Sequence, residues 1–189
     1  MTEQGYPRQA PSGVQIVPSL LSADLARIGE CLDAAREAGV RWVSVDVMDG
    51  HFVSNISFGP DLVRLIKKRT GFFVDAHLMV SNPDESAPFF IEAGADMVVV
   101  HYEACRNPRA TLRSLRKAGV AAGMAIKPRT PVSRLLPLLG DMDLALVMTV
   151  EPGFAGAKFL EPMLAKVRTL RRAIDAAGFP CRLQVDGGV

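Results

Sequence analysis

Cysteine is scarce and scattered: Cys31, Cys105 and Cys181 are the three in 189 residues. Their number is odd and none stands in a CxxC or zinc-ribbon spacing, so no disulfide framework is expected. They read instead as small buried hydrophobes in a reducing compartment, which points to the cytoplasm. Apolar runs are short, and none reaches the roughly 18 residues that a membrane span requires. Neither sign of charge is in excess: 22 Lys and Arg stand against 20 Asp and Glu, interspersed, for a formal net charge of +2. That balance argues against a dedicated nucleic-acid surface and against a polybasic membrane patch. Residues 1–13 have no apolar signal core and are rich in Gly, Pro, Ser and Gln. They read as a flexible N-terminal tail. No GxGxxG follows the first strand-like run, which removes the dinucleotide fingerprint.

What is present is apolar: 49% of the chain, enough for one domain with a sizeable core over residues 14–189. Strand-like runs at 15–19, 42–48, 72–79, 97–101, 121–127, 144–150 and 182–186 alternate with helical patterns at 25–38, 60–69, 84–93, 108–118, 132–139 and 162–177. Ser22 or Asp24 is placed to cap the first helix. Gly39, Gly94, Gly119 and Gly178 fall between helix and strand, where such turns favour glycine. This alternation predicts a parallel sheet with right-handed crossovers. The strand ends then separate two architectures. Ser19, Asp46, His77, His101, Lys127, Thr149 and Asp186 each end a different strand. An open doubly wound sheet concentrates its site at one switch point, whereas a barrel gathers every strand end around one mouth. The expected fold is an α/β (β/α)8 TIM barrel. Seven strands are legible, and a barrel usually takes roughly 200 residues or more. The chain is therefore expected to lack its last βα unit, leaving the barrel over 14–189 C-terminally incomplete.

The most informative run is Val43-Ser44-Val45-Asp46-Val47-Met48-Asp49-Gly50. Successive side chains of a strand face opposite sides, so the valines share one face and Ser44, Asp46 and Met48 the other. An ionised Asp on an inner face is costly unless it is paired, hydrogen-bonded or on a metal. Taken alone, Asp46 is more often a structural residue of a turn, and His77 is as readily a satisfied core histidine as a ligand. The glycines of 153–156 and 187–188 mark any tight turn, and Met48, Met79 and Met148 are ordinary core filler. Convergence on one barrel mouth raises the functional reading. Asp46 and Asp186, from opposite sides, can flank one substrate carbon and carry a proton between its faces. Together with His77 they offer oxygen and nitrogen donors to one divalent metal such as Zn, Fe, Mn or Co. Glycine turns let backbone N–H groups approach a phosphate.

These segments resemble the ribulose-phosphate 3-epimerase family. The resemblance rests on Pro18-Ser19-Leu20-Leu21-Ser22-Ala23-Asp24-Leu25, Asp46-Val47-Met48-Asp49-Gly50-His51-Phe52-Val53, His77-Leu78-Met79-Val80, Met148-Thr149-Val150-Glu151-Pro152-Gly153-Phe154 and Val185-Asp186-Gly187-Gly188, in order and in register. It implies a metal-dependent isomerase of the pentose phosphate pathway. Such an enzyme interconverts D-ribulose 5-phosphate and D-xylulose 5-phosphate by two-base proton transfer at C3. Asp46 and Asp186 would then be catalytic, and Asp46, His77 and Asp186 the metal ligands. Ser19, His77, Met48, Met79, Met148, Gly153, Phe154, Ala155, Gly156, Asp186, Gly187 and Gly188 would bind substrate. The implied partner is a pentulose 5-phosphate, with no nucleic acid or membrane; relatives often form homo-oligomers. Three departures stand out. Ser44 occupies the place of a usual histidine ligand, which weakens the site for metal. Ala155 and Ala157 replace Gly and Gln of the usual turn, and related allulose-6-phosphate epimerases also carry the alanine. The family's eighth strand, with its phosphate contact, is expected to be missing from these 189 residues. A ketose-phosphate epimerase of another substrate, such as D-allulose 6-phosphate, and an inactive sugar-phosphate-binding homologue are the alternatives.

Overall fold

The computed structural model describes residues 14–189; the tail expected at 1–13 lies outside the described residues. Six strands, β1 (Trp42–Met48), β2 (Phe73–Met79), β3 (Met97–His101), β4 (Ala121–Ile126), β5 (Leu144–Met148) and β6 (Arg182–Asp186), pair in parallel. Their spatial order follows the chain, β1 to β6 without a reversal. A doubly wound sheet would reverse at a switch point, so this order carries the barrel-type α/β fold. The sheet curls. Asp46 of β1 and Asp186 of β6 stand on its two outermost strands, yet both reach the imidazole of His77.

The strands sort their side chains as parity requires. Val43, Val45, Val47, Val74, Ala76 and Leu78 face outward into the main core. Helices α1 (Ile28–Glu37), α2 (Pro60–Thr70), α3 (Pro83–Glu92), α4 (Pro108–Lys117) and α5 (Met163–Ala177) cover that layer with Leu32, Val63, Ile66, Phe90, Leu112, Leu115, Leu170 and Ile174. Each such side chain, removed from water, contributes roughly 1.5–3 kcal/mol before chain entropy is set against it. A second, inner cluster joins Met97, Val99, Ala125, Leu144, Leu146 and Met148 inside the curl. Helix ends follow local chemistry. α2 opens with Pro60 at its first position and closes on Gly71, whose φ of 68° is the left-handed cap that glycine adopts without strain.

Three expected elements differ. Residues 15–19 form no strand: Ser44 N donates to Pro18 O at 3.0 Å and Ser19 makes a single bridge to Ser44. Pro18 has no N–H to extend a ladder, and the Ser19 hydroxyl caps a 3₁₀ turn, Leu20–Ser22, that bends the chain away. The helix expected at 132–139 is two 3₁₀ turns, Val132–Arg134 and Leu136–Asp141, because Pro137 interrupts the i to i−4 ladder. The helix expected at 25–38 begins as a 3₁₀ turn, Leu25–Arg27, capped by Asp24. All three thiols are free, and only Cys181 is fully buried. No helix among the described residues is long and apolar enough to cross a membrane.

Candidate active site

The inner faces of β1 and β2 bring four polar side chains together. Ser44 lies in register with Asp75, and Asp46 with His77. All four are buried. Asp46 is held from two sides: His77 Nδ1 lies 2.8 Å from Oδ1, and the Ser19 hydroxyl donates to Oδ2. His77 Nδ1 is also 3.6 Å from Asp186 Oδ2, which arrives from β6. On its other edge His77 Nε2 sits 3.0 Å from His101 Nε2, at the end of β3, the two rings meeting edge to edge with their planes 23° apart. One ligand atom from each of Asp46, His77 and Asp186 lies within 4.8 Å of the others. Two carboxylate oxygens and one imidazole nitrogen suit a divalent cation of the Zn, Fe, Mn or Co kind, so the donor set fits one. Ser44 points into the same cavity, as parity predicts, but is not among the three grouped residues.

Burial and charge act against each other here. Burial pushes the Asp46 carboxyl up, but the hydrogen bonds from His77 and Ser19 outweigh it and hold the group below its ordinary range. Burial pushes His77 down, yet its bond to Asp46 and the charges of Asp46, Asp186 and Asp75 raise it overall. Asp186 is raised, by burial first and by the charge of Asp46. Asp75 is the outlier: neither carboxylate oxygen has a hydrogen-bond partner, and burial lifts it to about 7. Between pH 4 and pH 7 the folded chain therefore keeps a proton on Asp75 that the unfolded chain has lost. By linkage, this residue makes stability fall as pH rises across that window. Asp75→Asn is expected to remove that fall. Denaturant midpoints of both proteins at pH 5 and pH 8 check it, and an equal loss in the variant would refute it.

A cavity of about 1740 Å³ runs through the curl from one end of the strands to the other, and Ser19, Ser44, Asp46, Met48, His77, Met79 and Met148 are among the residues that line it. Two loops meet over it. Asp49, just beyond β1, accepts from His51 N at 2.9 Å, Phe52 N at 2.8 Å and Ser81 N at 2.7 Å. It ties the β1–α2 loop to the β2–α3 loop, and those bonds outweigh its burial to hold it at about 2. Asn55 Nδ2 donates to Gly153 O at 2.9 Å across the mouth. Phe52 packs on His101, with ring centroids 4.8 Å apart, and Lys127 Nζ stands 3.6 Å over the Phe52 ring.

Residues 15–189 match the sequence profile of the ribulose-phosphate 3 epimerase family. The chain belongs to the ribulose-phosphate 3-epimerase family. It is similar to the ribulose-phosphate 3-epimerase of Mycobacterium tuberculosis, 44% identical over 177 residues that cover 94% of this chain and 76% of the relative. The enzyme of the same name from Chlamydia muridarum is 41% identical over 179 residues, covering 94% and 78%. That of Bacillus subtilis is 41% identical over 177 residues, covering 93% and 82%. Among solved structures, 3-keto-L-gulonate-6-phosphate decarboxylase from Vibrio cholerae superposes with a TM-score of 0.59 at 12% identity, covering 92% of this chain and 78% of that one. A tryptophan synthase α-subunit from Pyrococcus furiosus does so with a TM-score of 0.59 at 13% identity, covering 92% and 77%. At that identity the likeness is one of fold.

Within this epimerase-family site the residues expected from sequence divide into four groups. Asp46, His77, Asp186 and Ser19 are drawn into one bonded cluster. Met48 and Met79 are partners in the β1–β2 register and pack with Val53, while Met148 pairs with Asp186 in register and belongs to the inner core. Phe154, Ala155 and Gly156 line the cavity on an exposed loop. Residue 155 does not need φ > 0: positive φ falls on Gly153 and Gly156, so alanine fits there without strain. Gly187 and Gly188 are required for closeness. A Cβ on Gly187 would stand 2.2 Å from Val150 Cγ2, and one on Gly188 would stand 2.5 Å from the backbone N of Phe159. The Thr149 hydroxyl, donating to the carbonyls of Asp186 and Gly187, holds this turn from β5. Gly188→Ala, with φ at 75° and a backbone clash, is expected to lower the unfolding midpoint by an amount equivalent to roughly 1–3 kcal/mol and to displace the 186–188 turn. Thermal unfolding measures it, and an unchanged midpoint would count against the crowding described.

His101, Glu103 and Asp75 were not singled out as site residues by sequence. Asp75 was recoverable, since it stands two positions before His77 and must share its face. His101 was legible only as a strand end. Glu103 carried no signal, because it lies in the 3₁₀ turn Tyr102–Ala104 whose direction only the folded chain sets.

Proposed function

We infer that this chain interconverts D-ribulose 5-phosphate and D-xylulose 5-phosphate by proton transfer at C3. The observation that carries the reading is the approach of Asp46 and Asp186, from the two outermost strands of the curled sheet, to one imidazole. Carboxyls that reach a substrate from opposite sides can remove a proton from one face of C3 and return one to the other. Their environments also push them apart: Asp46 is held low and Asp186 is raised. Such a separation suits one group to act as base while the other acts as acid. Ser19, donating to Asp46, keeps the carboxylate oriented. Asp46, His77 and Asp186 would hold a divalent cation, whose Lewis acidity supplies stabilisation of the enediolate oxygens. Met48, Met79 and Met148 offer an apolar, polarizable lining that keeps water from the reacting carbon. The backbone N–H groups of the turns at 153–156 and 186–188 would hold the phosphate.

Exchange of the C3 proton of ribulose 5-phosphate with solvent, followed by NMR in D₂O with and without added Zn, Mn or Co, tests the proposal. Exchange accompanied by xylulose 5-phosphate is the expected result. Absence of exchange from folded, metal-supplied protein would overturn it, and faster exchange from D-allulose 6-phosphate would move the substrate to a hexulose phosphate.

A further inference from the structure

Beyond the two carboxylates, the site contains a second line of polar contacts, one hydrogen bond and one ion-pair approach, that leads away from the cavity. It runs from His77 through His101 to Glu103, and its polarity can be read from one end. Glu103 Oε1 accepts from Lys127 N at 2.8 Å and from the Thr130 hydroxyl, so the Glu103 carboxylate acts as an acceptor. Its other oxygen, Oε2, lies 3.4 Å from His101 Nδ1, an ion-pair distance without hydrogen-bond alignment. An acceptor facing a ring nitrogen favours the form of that ring with its proton on the facing nitrogen. His101 then carries its proton on Nδ1 and presents a lone pair at Nε2. The nitrogen 3.0 Å away, His77 Nε2, must therefore be the donor, since two lone pairs at that distance repel. His101 is fully buried and packs against the Phe52 ring, which shields it from bulk solvent.

We propose that His101 and Glu103 are positioning residues that fix a proton on Nε2 of His77, and so reserve its Nδ1 for the Asp46–Asp186 side. Nδ1 lies 2.8 Å from Asp46 Oδ1 and 3.6 Å from Asp186 Oδ2. When no cation is held, Nδ1 bonds to Asp46 through its own proton. Binding of a divalent cation M²⁺ releases that Nδ1 proton to solvent, and the freed lone pair forms the new bond to M²⁺. The Nε2 proton stays in place on its bond to His101. A proton leaves Nδ1 in either case; without the relay the remaining Nε2 proton of a cation-bearing ring meets no acceptor, and that unpaired buried donor weakens the cation's hold. Outer partners that set a ligand histidine's tautomer in this way typically carry roughly 10–100-fold in metal affinity. The inference rests on the proposed cation site for its consequence, but the tautomers themselves are a property of this chain.

Long-range 1H–15N spectra of the three imidazoles in the metal-free protein read the relay directly. His101 is expected as the Nδ1–H form and His77 with a proton on Nε2. In Glu103→Ala the His101 proton is expected to move to Nε2. Observation of His101 as the Nε2–H form in the unaltered protein overturns the proposal. Zinc titration against a chromophoric chelator reads the consequence. His101→Leu is expected to weaken binding about 10–100-fold, and His101→Gln, whose side-chain oxygen can accept from His77, to recover most of it. Equal affinity in all three proteins, each shown folded by circular dichroism, also overturns it. If the unaltered protein binds no zinc, the cation part of the proposed function fails, and the tautomer spectra still decide the relay.

Discussion

Asp186→Asn is expected to lower epimerisation by roughly 10²–10⁴-fold, and Asp46→Asn by a similar factor, with the fold retained. Asparagine keeps the size and shape of each side chain and removes its capacity to take or give a proton. In Asp46→Asn the Ser19 hydroxyl can still donate to the amide oxygen, but His77 loses its carboxylate partner. The two variants are therefore expected to differ in one further respect. His77 is raised chiefly by its bond to Asp46 against the pull of burial, so it should titrate lower in Asp46→Asn than in Asp186→Asn. Coupled assays in both directions measure the loss, and NMR titration of His77 measures the difference. Epimerisation within threefold of the unaltered protein in either variant would remove that carboxylate from the chemistry.

Ser44→His is expected to tighten zinc binding by at least the roughly 10–100-fold that even an outer partner of a metal ligand commands. Position 44 is two residues before Asp46 on the same strand, so a side chain there points into the same cavity. A serine hydroxyl is neutral and rarely binds zinc or iron; an imidazole is a common ligand of both. The substitution also gives Asp75 a neighbour. Asp75 pairs in register with residue 44 and both of its oxygens lack a hydrogen-bond partner, so a ring N–H across the strand would meet a waiting acceptor. An orienting carboxylate of this kind is what ligand histidines normally use. Affinity unchanged from that of the serine protein would show that residue 44 does not limit metal binding.

Much of this arrangement was legible in the chain because strands impose a period of two. Val43, Val45 and Val47 against Ser44, Asp46 and Met48 could be assigned to outer and inner faces from sequence, and the structure sorts them so. The left-handed glycines at 39, 94, 119 and 178 marked turns that helix and strand geometry require. Where the reading missed, local rules had been outweighed. Residues 15–19 have strand composition but end in Pro18 and a serine that caps the next turn. Residues 132–139 have helical spacing but contain a proline that breaks the ladder.

Sequence by itself determined the family, the alternating α/β architecture and which side chains face inward, because these follow from periodicity, turn chemistry and motifs read in order. Only the tertiary structure decided what those inward groups do to one another. The curl of the sheet brings Asp186 to the imidazole already held by Asp46, although the two carboxyls stand on strands at its opposite ends. The 3₁₀ turn after β3 sets Glu103 behind His101. Distances of a few ångströms between residues tens of positions apart fix tautomer, charge and metal affinity, and no local pattern in the chain encodes such distances.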